Sequence, residues 1–239
     1  MKILITNDDG ITCEGIHKLA EIAVNFGEVW VVAPAGQCTA MSRCLTLRET
    51  LEIKEADFPV KNVHAYSVSG TPVDCVKVGA NVIMKEKPDY VFSGINWGYN
   101  AGADIAYSGT IGASMESLLN GIPTIAFSNE GVSDYTIAMK YLPDIITEIL
   151  KKEPDHSAIW NINTPACSLD DCKGILWDRT IFKESYYAGV YEEKGDPSII
   201  KLELSPTRIP VEKLPVETDI GALVRNYISV GKVKSEILL

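Results

Sequence analysis

The stretch KILITNDDGITCEGIHKLAEIAVNFGEVWVVAP, residues 2–34, changes its period twice. Lys2-Ile3-Leu4-Ile5-Thr6 is an apolar run of strand length, and Asn7-Asp8-Asp9-Gly10 ends it with turn-forming residues. From Glu14 onward, Ile16, Leu19, Ile22, Ala23 and Phe26 recur at helical spacing, and Gly27 supplies a stop. Residues 28–33, EVWVVA, are a second buried-strand run halted by Pro34. Strand, acidic loop, helix and strand in that order open a βαβ unit.

Working outward, the alternation continues. Thr71-Pro72 is an N-cap followed by proline at the first helical position, and the spacing predicts a helix through Val76, Ala80 and Ile83 to Lys85. Residues 90–93, YVFS, form a third strand that delivers Gly94-Ile95-Asn96 at its end. A glycine-rich loop then runs to Gly109. Ile111, Met115, Leu118 and Leu119 mark a helix closed by Gly121, and residues 122–128 read as a strand. Residues 133–150 have helical spacing that Pro143 is expected to kink or split, and residues 158–163 are one more strand. This predicts an α/β fold, a Rossmann-like doubly wound, mostly parallel sheet with right-handed crossovers.

After Pro165 the pattern changes. Residues 184–192 and 198–204 alternate weakly between Gly195, Pro197, Pro206 and Pro210, the mark of an antiparallel hairpin, and Thr218-Asp219 caps a short helix before residues 227–230. The expectation is a single domain over 1–239, with a core of about 1–165 and a C-terminal hairpin extension of about 166–239. No internal repeat or low-complexity tract is present.

The composition bounds the chemistry. With 46% hydrophobic and 23% charged residues the chain is of globular type. A net charge of −10 opposes any broad grip on a nucleic-acid polymer. A small anionic substrate then needs backbone N–H groups, a helix N-terminus or a divalent cation to offset the protein's own field. The start lacks the basic segment and cleavage site of a secretory signal, and no apolar run reaches the roughly 18 residues of a membrane span, so a cytoplasmic protein with no membrane partner is expected. Six cysteines without a C-x-x-C pair or a nearby Cys/His cluster read as reduced thiols rather than disulfides or a zinc site.

In open α/β sheets the ligand site lies beyond the carboxyl ends of the strands, where strand order reverses. Asp8 and Asp9 follow the first strand, Thr39 and Ser42 lie in the loop after the second, and Asn96 follows the third. Two carboxylates, an amide oxygen and a hydroxyl make a hard oxygen set suited to magnesium, manganese or calcium. Taken alone, Asp-Asp-Gly is more ordinarily an Asx turn with a helix cap; the arrival of Asn96 at another strand end reverses that balance. The glycine-rich runs 94–102 and 108–112 can turn backbone N–H groups toward an anion, and Ser108 or Thr110 can cap the next helix or bind phosphate, although neither run is a Walker loop. His17, His64 and His156 have no visible nucleophile partner. Cys13 and Cys38 near the site read as packed thiols. Trp97 and Tyr99 can stack a base, close the pocket or pack an oligomer interface.

Residues 5–11 (ITNDDGI), 70–76 (GTPVDCV), 93–96 (SGIN) and 107–112 (YSGTIG) together resemble the SurE survival-protein family. Gly121-Ile122-Pro123, residues 161–165 (NINTP), Thr218-Asp219 with Gly221-Ala222, and residues 227–230 extend the resemblance along nearly the whole chain. It implies a Rossmann-like core, one divalent cation, hydrolysis of nucleoside 5′- or 3′-monophosphates, often some activity on short polyphosphate, and homodimers or homotetramers joined through exchanged C-terminal segments. Carried onto matching positions, the metal ligands are Asp8, Asp9, Thr39 and Asn96, with Asp8 and Asp9 also catalytic. Asn100, Ser108, Gly109 and Thr110 fall on the phosphate or substrate side.

One loop departs from the family. Where it usually has Ala-Pro-Asp-Arg-x-x-Ser, this chain has Ala33-Pro34-Ala35-Gly36-Gln37-Cys38-Thr39, and Arg43 stands where a histidine is common. Threonine keeps a ligating hydroxyl, but the Asp-Arg pair is gone. The alternative is therefore a nonenzymatic nucleotide-binding or regulatory module. A response-regulator receiver, which also places paired acids after its first strand, fits poorly because Asp57 follows polar Lys54-Glu55-Ala56 rather than an apolar strand.

Overall fold

The computed structural model describes residues 1–130, 134–186, 189–194, 201–206 and 209–235. Chain order is β1 (Lys2–Thr6), α1 (Glu14–Ala23), β2 (Glu28–Pro34), β3 (Ile53–Glu55), β4 (Val63–Val68), α2 (Pro72–Val78), β5 (Tyr90–Trp97) and α3 (Gly109–Leu119). It continues with β6 (Thr124–Asn129), α4 (Thr136–Leu150), β7 (Ala158–Thr164), β8 (Ile175–Arg179), β9 (Gly189–Lys194), β10 (Lys201–Pro206), α5 (Asp219–Leu223) and β11 (Ile228–Lys234).

Nine strands form one sheet in the order β3-β4-β2-β1-β5-β6-β7-β11-β8. Pairing is parallel from β4 through β7 and between β11 and β8. It is antiparallel for β3 with β4 and for β7 with β11. The chain leaves β1 toward β2 on one side and returns to its other side with β5, so the order reverses there. A crevice opens at such a point beyond the strand ends.

The sheet is covered on both faces, which is why its central strands read as continuous apolar runs. Ile3 and Ile5 face a core with Ile16 and Leu19 of α1 and Ile145 of α4. Leu4, one residue out of phase, packs with Cys75 and Val76 of α2 and Ala113 of α3. Thr71 caps α2 with a reciprocal bond to Asp74, as the Thr-Pro start predicts.

The differences from the sequence reading have local causes. β3 has three exposed residues and β8 is only partly buried at the other edge, so neither carries a strong hydrophobic signal. β4, VHAYSV, has an uneven burial pattern and no apolar run. Expected as a strand of four residues, β5 continues to Trp97 past a register shift between Ser93 and Asn96, where its pairing with β6 resumes. The second helix stops at Val78 and widens into a five-residue π-type turn, Gly79–Ile83. Pro143 does not split α4, whose buried Ile137, Leu142, Ile145, Ile146 and Ile149 dock one continuous face. β8 and β11 come from beyond residue 165 yet join the main sheet. Of the expected hairpin over 184–192 and 198–204, residues 187–188 and 198–200 lie outside the described residues, and β9 with β10 forms a separate antiparallel pair in its remainder.

Candidate functional site

At the carboxyl ends of β1 and β5 a cavity of about 660 Å³ opens, lined by Asp8, Thr39, Asn96, Asn100 and Ser108 among the residues expected there. Trp97, Tyr99, Asp104, Tyr107, Glu130 and Ala166 complete much of its wall. Asp9, Gly109 and Thr110 are not in the lining. Five of the eight expected residues therefore share one cavity, and the other three touch residues of its lining.

Asp8 is 3% exposed. Thr110 donates its hydroxyl to Asp8 Oδ1 at 2.6 Å, although 102 residues separate the two. The Thr110 hydroxyl is thus engaged by Asp8, and the side chain is fully buried and outside the cavity lining. Gly109 is there because α3 starts against Asp8: a Cβ at this position would lie 2.8 Å from Asp8 Cβ and 2.9 Å from its Oδ2. Ser108 lines the cavity and also caps α3, accepting from the Ile111 N–H at 3.1 Å.

The neighbouring candidates are held in the same manner. Asp9 Oδ2 accepts from the backbone N–H of Trp97 at 2.9 Å, a tie between the ends of β1 and β5. Asn96 donates its amide to the Gly98 carbonyl at 2.8 Å, which turns its Oδ1 away from that contact. The Cys38 N–H donates to the Asp8 carbonyl at 2.7 Å, which brings the exposed Thr39 to the cavity. Asn100 is fixed on three sides: its N–H donates to Asn163 Oδ1 at 2.9 Å, its amide to Ser128 Oγ at 2.9 Å, and its carbonyl accepts from Asn161 at 2.8 Å. Holding each candidate ligand through another group is how a site keeps its geometry before it is filled.

Electrostatics make the pair unusual. Burial pushes Asp8 up to about 6; the charge of Asp9 adds to this, and the Thr110 hydroxyl opposes it. Burial also raises Asp9, against the Trp97 N–H. Among the described residues no Lys or Arg forms an ion pair with either carboxylate. A buried acid beside a half-buried one, without a cation, is costly, and a hard divalent ion would offset that cost. Among the described residues no group of three or more His, Cys, Asp or Glu side chains is placed to hold a metal. The set here has only two acids, supplemented by an amide and a hydroxyl, and its all-oxygen chemistry fits magnesium or manganese.

The histidines are not in the cavity lining. His17 places its ring nitrogen 3.1 Å from the Ile11 carbonyl and packs edge-on against Phe58, and His64 stacks on Trp30. The Cys13 thiol donates to the Asp9 carbonyl at 2.9 Å. Burial, with the nearby carboxylates, raises both Cys13 and Cys38, the opposite of what a thiolate nucleophile requires. All six cysteines are free thiols. Trp97 is 55% exposed at the rim, whereas Tyr99 is buried with its hydroxyl donating to Glu130 at 2.9 Å. No helix among the described residues is long and apolar enough to cross a membrane.

Fold and site together define an α/β protein with an acidic, glycine-flanked pocket at its topological switch point. Residues 3–186 match the family model described as Survival protein SurE. The chain is 38% identical over 236 residues to a protein of Thermosipho africanus named 5′-nucleotidase SurE, covering 98% of this chain and 91% of that one. It is 39% identical over 210 residues to a Clostridium botulinum protein of the same name, with 85% and 82% covered. The crystal structure of the SurE protein from Aquifex aeolicus superposes with a TM-score of 0.84 at 32% identity, covering 98% of this chain and 93% of that one. The chain belongs to the SurE family.

Proposed function

We propose that this protein is a 5′-nucleotidase, a phosphoric monoester hydrolase that releases phosphate from nucleoside 5′-monophosphates with the help of one divalent cation. The observation that carries the reading is the buried Asp8, paired with Asp9 and Asn96 at the switch point and held by Thr110, in a protein whose relatives bear that enzyme's name. Asp8, Asp9, Asn96 and the Thr39 hydroxyl would hold magnesium or manganese. When bound, the ion supplies charge neutralisation for the phosphoryl oxygens and a lowered pKa for the attacking water.

The protein's own groups do the rest. The N-terminus of α3 favours an anion through its dipole, with Ser108 and the Gly109 N–H on the phosphate side. Asn100, rigidly tied to β6 and β7, offers a fixed edge of the cavity to the substrate. Asp8 and Asp9 orient the water, and one of them takes its proton as the oxygen attacks phosphorus. The P–O ester bond breaks, and the nucleoside oxygen leaves with a proton from solvent. The same reading extends to nucleoside 3′-monophosphates and short polyphosphate as secondary substrates. It also includes a cytoplasmic homodimer or homotetramer joined through the C-terminal region, supported by the β9–β10 pair standing apart from the main sheet.

A panel of nucleoside 5′- and 3′-monophosphates and short polyphosphate, with Mg²⁺, Mn²⁺ or EDTA, tests this. Phosphate release from the 5′-monophosphates is expected, and nucleotide binding without release would select the nonenzymatic alternative.

A further inference from the structure

Much of the cavity wall comes from one short segment after β5, which contributes Asn100, Asp104, Tyr107 and Ser108. Its middle, Gly102–Tyr107, is a single 3-10 stretch that ends in exposed Ala106 and Tyr107. Its far end is fastened to the loop after β2, where the Ser42 N–H donates to the Tyr107 carbonyl at 3.0 Å and the Ser42 hydroxyl to the Ala106 carbonyl at 2.9 Å. Its near end is fastened to the C-terminal part of the chain.

The Gly102 N–H donates to Asp219 Oδ2 at 2.8 Å. The other oxygen of the same carboxylate accepts from the Phe182 N–H at 3.0 Å and the Ile220 N–H at 2.8 Å. Beside it, the Ala103 N–H donates to the Glu184 carbonyl at 3.1 Å, the Tyr186 N–H donates to Asp104 Oδ2 at 2.8 Å, and Ser185 donates its hydroxyl to Asp104 Oδ1. The approach is close: Gly102 has φ +61°, and a Cβ there would lie 2.8 Å from the Glu184 carbonyl oxygen.

Asp219 is 4% exposed, and a carboxylate so buried must be repaid by hydrogen bonds. Its own helix is already capped by Thr218, and of the three donors only Ile220 belongs to that helix. The other two donors lie 37 and 117 residues away, so the carboxylate joins three segments. The Asp8, Asp9 and Asn96 side of the cavity is held independently, by Thr110, Trp97 and Gly98.

We propose that Asp219 is a positioning residue for nucleoside recognition, which sets Asp104 in the cavity wall by holding the Gly102 N–H. The inference rests on the nucleotidase reading above. It divides the cavity into a phosphate side that does not depend on Asp219 and a nucleoside side that does.

Asp219→Asn is the selective test, because the amide oxygen can still accept from Phe182 and Ile220 while its NH₂ then faces the Gly102 N–H. The KM for a nucleoside 5′-monophosphate is expected to rise about tenfold with kcat within about twofold, the effect of losing one buried hydrogen bond from the wall. Hydrolysis of p-nitrophenyl phosphate, which has no nucleoside, is expected to keep its kcat/KM. Amide hydrogen exchange should quicken over residues 99–107 and stay unchanged over 2–6 and 158–164. An unchanged nucleotide KM, or an equal loss on both substrates, overturns the inference. Wild-type protein that hydrolyses p-nitrophenyl phosphate but no nucleotide overturns the underlying reading instead. If Asp219→Asn does not fold, Ser185→Ala removes the second tie and is expected to show the same split at about threefold; without the split, the proposal fails.

Discussion

The Thr110 hydroxyl and the Asp8 carboxylate meet at 2.6 Å in the interior, joining the start of α3 to the end of β1. A neutral hydroxyl donating to a buried carboxylate favours the charged form and fixes its orientation. Thr110→Val keeps the shape and removes the donor. It is expected to lower divalent-cation affinity and kcat/KM by about 10- to 100-fold and to cost about 1–3 kcal/mol of stability, while Thr110→Ser stays near wild type. Calorimetric titration with Mn²⁺ and denaturant unfolding check both parts. Equal cation affinity in the valine variant would show that the bond does not orient Asp8.

Gly109 tests the same junction sterically. With the added Cβ 2.8 Å from Asp8 Cβ, neither backbone nor carboxylate has room to yield without moving the other. Gly109→Ala is expected to reduce kcat at least about tenfold and to lower stability by about 1–3 kcal/mol. Thermal unfolding and steady-state kinetics on one preparation would show it; an alanine variant with full activity would mean that α3 is free to shift away.

Asp155 gives a pH-dependent prediction away from the site. It accepts from Lys232 at 2.6 Å, from the Ser157 N–H at 2.9 Å and from the Ser157 hydroxyl at 2.8 Å, tying the start of β7 to β11. Burial would raise it, but these partners hold it down at about 2. Because the folded pKa lies below the unfolded one, this stabilisation is present above about pH 4 and is lost as pH falls toward 2. Lys232 is well exposed, so solvent screening limits the contribution to about 1 kcal/mol. Asp155→Asn should therefore be less stable than wild type at pH 6, and the two should converge near pH 2 in denaturant titrations. A constant difference across that range would contradict the assignment.

How much of this was legible in the sequence follows from where the signal is local. β1, β2, β6 and β7 are covered on both faces, and their apolar runs reveal them. β3, β4 and β8 lie toward the sheet edges, where partial exposure blurs the pattern. Asp8, Thr39 and Asn96 were legible as one cluster because each ends a strand or lies in the loop beyond it, Ser108 as a helix start after a glycine-rich run, and Asn100 only through the family resemblance. The role of Thr110 was not, since a hydroxyl at a helix start reads alike whether it meets a phosphate or a carboxylate 102 residues away. Asp219 had the same ambiguity. Its Thr-Asp signature marks a helix cap, and only the folded chain shows Gly102 and Phe182 on the same carboxylate.

The central claim is that Asp8 sits at a cation-dependent phosphatase centre. Its most direct test is phosphate release from a nucleoside 5′-monophosphate by wild type and Asp8→Asn, each with Mn²⁺ and with EDTA. Wild type with Mn²⁺ is expected to turn over, and both chelation and the substitution to lower the rate by about 100-fold or more. Equal rates with and without EDTA, or an Asp8→Asn variant as active as wild type, would contradict it.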